Sequence, residues 1–190
     1  MQLIRNIRIK GFRSIQAANI EGLSDLNIVF GQNDAGKSNV LRALNLFFND
    51  QTNRGERISL DRDLHVPQKG KRRELWVKVE FETPDPYVDQ LGPWFSVRKT
   101  WSHNNPTTPE WLVTCPEKIK VKKGGEAYKK RERVARRVLT QINFHYLPAI
   151  KGREVFNELL AEMYDVLSED DGFRQTLATF ATGIQNTTER

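Results

Sequence analysis

The stretch that decides the fold is IVFGQNDAGKSN, residues 28–39. A short apolar run, LNIVF at residues 26–30, leads into Gly31, and five residues later come Gly36, Lys37 and Ser38. An almost wholly apolar run of this length predicts a buried strand. After the glycines, apolar residues recur at helical spacing and predict a helix. They are Val40, Leu41, Leu44, Phe47 and Phe48.

Residues 31–38 match the pattern G-x-x-x-x-G-K-[ST], in which each fixed residue type has a task in holding phosphate. Glycines let main-chain N–H groups turn towards phosphate oxygens, and the following helix presents its positive end. Lys37 would bring its charge to the β and γ phosphates, and Ser38 would bind Mg²⁺ through its hydroxyl. Asn33 can reach the attacked phosphate or position a water molecule. Asn39 extends the polar helix start or is an ordinary first-turn residue.

Hydrolysis of a triphosphate needs parts that the sequence does not show. A second carboxylate must hold Mg²⁺, and another group must orient the attacking water. No run of four apolar residues followed by Asp or Glu occurs after the loop, and EMYD at residues 162–165 has helical spacing. An N-K-x-D element for guanine is also absent. The sequence therefore predicts one half of an ATPase site, which holds ATP and Mg²⁺.

The basic residues are concentrated in one block. The net charge of the 190 residues is +6, but residues 118–137 alone carry +8, which leaves −2 for the rest. Such a block indicates a polyanion, an acidic protein partner or a solvated helix face. Because Tyr128 is its one aromatic residue, contact with the backbone of double-stranded DNA is favoured over base stacking. The candidate contacts are Lys118, Lys120, Lys122, Lys123, Lys129, Lys130, Arg131, Arg133, Arg136 and Arg137.

The remaining pattern predicts an antiparallel sheet with flanking helices. Strands are expected at residues 2–10, 75–82, 94–101, 111–115 and 143–147, and an exposed loop at 50–73. Helices are expected after Gly125 and over residues 155–167 and 173–184. No apolar run approaches the roughly 20 residues of a membrane span. With no signal peptide and Cys115 alone, neither an internal disulfide nor export is expected, which indicates the cytoplasm. His65, His103 and His145 lack metal-ligand spacing.

Two segments, IRIKGFRSI at residues 7–15 and LNIVFGQNDAGKSNVLRALNLFF at residues 26–48, together resemble a known family. They are similar to the N-terminal lobe of ABC-type ATPase heads of the SMC, RecF and OLD (overcoming lysogenization defect) kind. Residues 144–167 resemble the later part of that lobe in bacterial defence ATPases, and residues 50–140 match in strand pattern only. The resemblance implies an α/β fold with a mixed sheet, in which a parallel nucleotide core adjoins an antiparallel layer.

The resemblance also implies roles for particular residues. Arg13 and Ser14 would lie near the nucleotide, and Gln141 is a candidate Mg²⁺ contact together with Ser38. The pair Lys151 and Arg153 would lie near the γ phosphate or a partner. The residues that would line the triphosphate are Gly31, Gln32, Asn33, Ala35, Gly36, Lys37, Ser38 and Asn39.

The family's signature motif, second acidic strand and catalytic glutamate are missing from the sequence. In the family these lie on a C-terminal lobe, and two heads enclose two ATP molecules. The expected organisation is therefore one N-terminal lobe over residues 1–190. Its parts are a nucleotide-binding region (1–50), an antiparallel layer (51–117), a basic helix region (118–142) and a connecting region (143–190).

The resulting functional prediction is the ATP-binding part of an ATPase that acts on DNA in phage defence or repair. It would work with a second copy of the head, which ATP would bring together, and with a nuclease or effector subunit. Two alternatives stay open. The chain could be an ATP-dependent switch that regulates a partner without turnover of its own, or a stand-alone P-loop kinase.

Overall fold

The computed structural model describes residues 3–31, 36–65, 74–116 and 124–147 and the single positions 157, 160, 161, 172 and 175. Its strands are β1 (Ile4–Phe12), β2 (Ile15–Ile20), β3 (Gln51–Asn53), β4 (Glu56–Arg57), β5 (Glu74–Glu82), β6 (Trp94–Ser102) and β7 (Asn105–Thr114). Its helices are α1 (Lys37–Asn49), α2 (Leu60–Asp63), α3 (Val88–Leu91) and α4 (Glu126–Thr140). The predicted α/β class, with an antiparallel layer and flanking helices, is confirmed.

Five strands form one antiparallel sheet in the order β2-β1-β5-β6-β7. The register sets Ile7 opposite Val79, Val79 opposite Val97, and Val97 opposite Val113. All four side chains are buried, so one row of the inner face crosses four strands without a polar residue. Strict alternation along β5 produces this face, because successive side chains in a strand point to opposite sides. The predicted strand at residues 75–82 is confirmed.

Strand β7 is longer than predicted. It begins at Asn105, because Ser102 pairs with Asn105 and the hairpin turn takes up only residues 103–104. The prolines at positions 106 and 109 are tolerated here because β7 is an edge strand, where a missing N–H need not break a ladder. Cys115 follows the end of β7 and is partly buried. Burial raises the pKa of its thiol, which disfavours a nucleophilic thiolate.

Helix α1 packs its C-terminal half against the inner face of the sheet. Leu44 and Phe47 are buried, and the Phe47 ring lies 6.2 Å from that of Phe81 on β5. Leu41, which the periodicity assigned to the apolar face, is 46% exposed. Burial is therefore concentrated in residues 43–47, and these residues anchor the helix.

The predicted strand at residues 26–30 is wrong, because these residues form neither strand nor helix. The side chains of Leu26, Ile28 and Phe30 are 79%, 77% and 89% exposed. A buried strand needs hydrogen-bonding neighbours, and none of the described strands lies beside this run. All strand pairs in the described ranges are antiparallel, so the predicted parallel nucleotide core is not formed by these residues.

The predicted exposed loop at residues 50–73 is wrong for its first part. Residues 51–57 form the β3–β4 hairpin and residues 60–63 form α2, while Thr52 and Asp63 are fully buried. This segment is held against the turn between β1 and β2: Phe12 forms a bridge with Leu64. Residues 66–73 lie outside the described ranges.

Helix α4 confirms the helix expected after Gly125. Ala135 and Val138 are buried against the core, and the Tyr128 hydroxyl accepts a hydrogen bond from the Val113 N–H at 3.1 Å. The strand predicted at residues 143–147 is wrong: these residues have no regular structure. The Phe144 ring instead stacks on Phe48 of α1, with the ring centroids 4.9 Å apart, which fixes the segment by aromatic packing.

Lys99 on β6 is a buried cation between the sheet and α1. Its ammonium donates to the Asp50 carboxylate at 3.2 Å and lies 4.7 Å from the centre of the Trp111 ring. The Arg136 guanidinium also lies over the Trp111 ring, 3.9 Å from the ring centre. Burial lowers the pKa of Lys99, and Asp50 offsets only part of this effect.

The outer face of the sheet carries a row of three cations. The register sets Arg8 opposite Lys78 and Lys78 opposite Arg98. Like charges directly opposite each other destabilise a sheet. Burial lowers the pKa of Lys78, and repulsion from Arg8 and Arg98 lowers it further.

Contacts between residues group the chain into two compact units, residues 1–146 and residues 147–190. The predicted helices at residues 155–167 and 173–184, the pair Lys151 and Arg153, and the EMYD stretch lie outside the described residues, apart from single helical positions. Within the described ranges, none of the helices has the length and apolar character of a membrane-spanning segment.

Candidate functional site

The end of the glycine loop forms the start of α1. Gly36 occupies the N-cap position with a φ of 86°, and the N–H groups of Asn39 and Val40 donate to its carbonyl. No side chain caps this helix. The first N–H groups of a helix have no partners within the helix, so an anion can take the place of the missing cap. Gln32, Asn33 and Ala35, which were predicted to line the phosphates, lie outside the described residues.

Lys37 reaches back across the loop. Its ammonium donates to the Gly31 carbonyl at 2.7 Å, which brings the two ends of the glycine motif together. Ser38 follows in the first turn of α1. A lysine at this position can exchange a carbonyl oxygen for a phosphate oxygen, because both are hydrogen-bond acceptors and the phosphate carries the greater charge. The described part of the loop therefore fits a phosphate group.

Ser14 lies directly against this loop. Its hydroxyl accepts a hydrogen bond from the Asn39 side-chain amide at 2.9 Å, and Arg42 donates to the Asn39 amide oxygen at 3.1 Å. A Cβ atom added at Gly36 would lie 3.1 Å from the Ser14 hydroxyl oxygen. The structure thus brings Ser14, Gly36 and Asn39 together from two distant parts of the chain. It also explains why a residue without a side chain suits position 36, beyond its left-handed backbone.

Arg13 occupies a strained position next to Ser14. Its φ is 48°, in the left-handed region that non-glycine residues seldom adopt. Its N–H donates to the Asp63 carbonyl at 2.8 Å, and its Nε donates to the Asp63 carboxylate, also at 2.8 Å. The His65 ring nitrogen Nδ1 lies 2.6 Å from the Arg13 carbonyl, to which it donates as the protonated nitrogen.

Asp63 is the centre of this arrangement, and its side chain is fully buried. It also accepts hydrogen bonds from Arg62 and from the Ser59 N–H. Burial by itself would raise the pKa of Asp63, but the bonds from Arg62, Ser59 and Arg13 outweigh it and hold the pKa below its usual value. The carboxylate is therefore charged at neutral pH and holds two guanidinium groups.

A cleft of about 680 Å³ opens beside this turn. Basic and hydrogen-bonding side chains dominate its wall. The residues lining it are Arg13, Ser14, Asn53, Glu56, Arg62, Leu64 and His65.

Gln141, the candidate second Mg²⁺ contact, lies at the C-terminal end of α4. Its side-chain amide donates to the Tyr87 hydroxyl at 3.3 Å. Within the described ranges, no hydrogen bond links Gln141 to Ser38 or to the glycine loop. Ser38 is thus the one predicted Mg²⁺ ligand that the described residues place at the helix start.

The basic block is divided by the structure. Lys118, Lys120, Lys122 and Lys123 lie outside the described residues. On α4, Lys129, Lys130, Arg133 and Arg137 are exposed, with Arg133 paired to Glu126 at 3.3 Å. Arg136 is occupied by the Trp111 ring and by Glu132 at 2.7 Å, while Arg131 is half-buried.

Sequence reasoning did not identify Asp63, Arg62 or His65. The stretch LDRDLH at residues 60–65 combines two leucines with charged residues, which signals a short amphipathic turn and no particular site. The importance of Asp63 comes from its contact with Arg13, fifty positions away in the chain. A single sequence carries no signal for that pairing.

Comparison with known proteins locates the chain in a family. The profile of the AAA ATPase domain family (AAA_15) matches residues 1–176. An ATP/GTP phosphatase of Helicobacter pylori is 50% identical over 42 residues, which cover 22% of this chain and 11% of that protein. An uncharacterized protein of Methanocaldococcus jannaschii is 38% identical over 58 residues, which cover 30% of this chain and 18% of that protein. The matched stretches span less than a fifth of either relative.

Two solved structures are also similar. One is the recombination mediator protein RecF with ATP, at 18% identity and a TM-score of 0.43, covering 66% of this chain and 29% of that chain. The other is an SMC ATPase, at 16% identity and a TM-score of 0.46, covering 73% of this chain and 97% of that chain. The predicted resemblance to an ATPase head is confirmed by the family match, which covers most of the sequence. The chain belongs to the AAA ATPase domain family.

Proposed function

We propose that the chain binds ATP with Mg²⁺ at the glycine loop and serves as the nucleotide-binding lobe of an ATPase head. One observation carries the proposal: α1 starts at Gly36 without a side-chain cap, and Lys37, Ser14 and Asn39 lie around this start. Main-chain N–H groups, a helix dipole and a lysine then converge on one point, and together they favour a polyphosphate. Mg²⁺ would use the Ser38 hydroxyl and the phosphates themselves.

Turnover would require a further polypeptide segment. The exposed apolar run at residues 26–30 leads directly into Gly31. In water, side chains such as Leu26, Ile28 and Phe30 favour burial, at about 25 cal/mol for each Å² covered. We infer that strands from a further lobe or from a second copy cover this run and supply the acidic residue and the water-orienting group. The same engagement would let ATP hold two heads together.

Calorimetric titration with MgATP tests the binding step. The chain is expected to bind one MgATP, and Lys37→Ala is expected to abolish binding while changing the unfolding temperature little, because Lys37 is only partly buried. Lys10→Ala is the matched control, because Lys10 is an exposed lysine on the sheet. Failure of the wild-type chain to bind MgATP would overturn the proposal.

Phosphate release tests the half-site reasoning. The 190 residues by themselves are expected to release no phosphate from ATP, whereas an assembly that adds a further lobe or a second copy would. Turnover by the isolated chain would contradict the need for a second segment. Transfer of phosphate to a small molecule by a monomer would favour the kinase alternative, and ATP binding without turnover by the full assembly would favour the switch.

A second proposal concerns double-stranded DNA, for which the exposed face of α4 is the supporting observation. Lys129, Lys130, Arg133 and Arg137 are exposed along one helix. Lysine and arginine side chains that replace counterions on phosphates give sequence-independent, salt-sensitive affinity. Arg136 is left out of this surface because it is held by Trp111 and Glu132. A role in phage defence or repair in the cytoplasm, with a nuclease or effector subunit, follows from the family resemblance and is proposed on that basis.

Charge reversal tests this surface. The triple change Lys129→Glu, Lys130→Glu and Arg133→Glu is expected to weaken binding to duplex DNA and to flatten its dependence on salt. The slope should fall by about one unit for each DNA phosphate that is no longer neutralised. Lys10→Glu on the sheet serves as the control. Unchanged DNA affinity in the triple variant would indicate an acidic protein partner for this face.

A further inference from the structure

We propose that Asp63 is a positioning residue: it fixes the Arg13 guanidinium beside the phosphate loop, so that Arg13 can bind a phosphate of the nucleotide. The proposal deepens the function proposed above and rests on it. It starts from a fully buried carboxylate on α2 that no residue type or motif in the sequence marks as functional.

Asp63 holds residue 13 at two points. The Asp63 carboxylate accepts from Arg13 Nε at 2.8 Å, and the Asp63 carbonyl accepts from the Arg13 main-chain N–H at 2.8 Å. The carboxylate is in turn fixed by the Ser59 N–H at 2.9 Å and by Arg62 at 3.1 Å. A carboxylate bound on several sides cannot rotate freely, so the direction of the Arg13 side chain is set by the protein and not by solvent.

The backbone of Arg13 needs this support. A left-handed φ of 48° is unfavourable for arginine, and such conformations persist where surrounding contacts enforce them. His65 provides a third contact through the Arg13 carbonyl. The next residue, Ser14, bonds Asn39 at the start of α1. Through this strained turn, the contacts of Asp63 with Arg13 help to fix Ser14 beside the loop that would hold phosphate.

Among the described residues, the Arg13 side chain hydrogen-bonds to Asp63, and its guanidinium lies 5.6 Å from the centre of the Phe12 ring. Asp63 engages the Nε–H only, and a guanidinium carries five N–H donors in a planar fork. The Arg13 side chain is 19% exposed and lines the cleft beside Ser14. Arg62 shares its charge between Asp63 and Glu56, whose carboxylate is 3.4 Å from it. An anion entering the cleft would thus meet the Nη groups of Arg13, which can bind phosphate in a bidentate manner.

A double-mutant cycle with MgATP affinity as the readout tests the proposal. Asp63→Asn keeps the shape of the side chain and removes its charge. It is expected to weaken MgATP binding about tenfold, and Arg13→Ala is expected to weaken it by a similar factor. The double variant should bind no more weakly than Arg13→Ala alone. Asp61→Asn is the matched control, because Asp61 is an exposed carboxylate on the same helix and does not line the cleft. Wild-type affinity in Asp63→Asn, or losses that multiply in the double variant, would overturn the proposal.

A measurement on the wild-type protein covers the case in which Asp63→Asn fails to fold. The Arg13 Nε–H resonance is expected to exchange slowly with water before and after MgATP is added, whereas the Nη resonances should shift on addition. Fast exchange of the Nε–H would contradict the proposal, and so would unmoved Nη resonances in a protein that binds MgATP. If the wild type binds no MgATP, the proposed function fails, while the Nε–H exchange still reports on the contact between Asp63 and Arg13.

Discussion

Gly11→Ala is expected to destabilise the protein strongly for two reasons that the structure separates. Gly11 has a φ of 71°, and a Cβ atom there would lie 2.7 Å from the Glu74 carbonyl oxygen on the neighbouring strand β5. The left-handed backbone costs an alanine about 1–2 kcal/mol, and forcing two paired strands apart adds about 1–3 kcal/mol. The total is about 3 kcal/mol, or about 6–12 °C in unfolding temperature for a chain of this size.

Gly22→Ala is the matched control. Gly22 has a φ of 66°, but a Cβ atom there meets nothing within 4 Å. Only the backbone cost applies, so a loss of about 1 kcal/mol is expected. Urea unfolding and thermal unfolding of both variants measure the difference directly. Equal losses in the two variants would show that the β1–β5 contact is not as close as the structure has it.

Because the His65 N–H donates to the Gly11 carbonyl, Gly11→Ala should also weaken MgATP binding through the Arg13 turn.

The remaining predictions concern two buried or crowded cations. At pH values above its lowered pKa, Lys99 is uncharged more often in the folded chain than in the unfolded chain. Wild-type stability should therefore rise with pH from that pKa up to about 10.5. Lys99→Met should lessen that rise, to which the lowered pKa of Lys78 still contributes, and should be neutral or stabilising by about 1 kcal/mol near pH 7, in urea unfolding. Lys78→Thr should stabilise by about 0.5 kcal/mol at low salt, because it relieves repulsion from Arg8 and Arg98. The gain should shrink in roughly 1 M salt, and Lys10→Thr should show no comparable gain.

The parts of the fold that sequence predicted well are those with regular periodicity. The strand at residues 75–82 alternates strictly, and its inward side chains are buried in the structure. The helix after Gly125 likewise has an apolar stripe that meets the core through Ala135 and Val138. Local periodicity suffices in both cases, because each element has one face in water and one in the core.

Sequence failed where burial depends on distant partners. The apolar run at residues 26–30 looks like a buried strand, but apolar composition alone supplies no neighbour with which to pair. Conversely, residues 50–73 look like an exposed loop because they are rich in charge, yet Asp63 is buried and bonded to Arg13 and Arg62. At the candidate site, the glycine loop was predictable from its motif, while the cleft beside Arg13 arises from contacts fifty residues apart.

The central claim is that the loop ending at Gly36 binds the phosphates of ATP. Amide resonances of the isotope-labelled chain during titration with MgATP test it most directly. The resonances of Gly36, Lys37 and Ser38 are expected to shift in the wild type. Those of Gly36 and Ser38 are expected to stay in place in Lys37→Ala, while those of α4 remain unchanged in both proteins. Unmoved resonances at these three residues in a folded wild-type protein would contradict the claim.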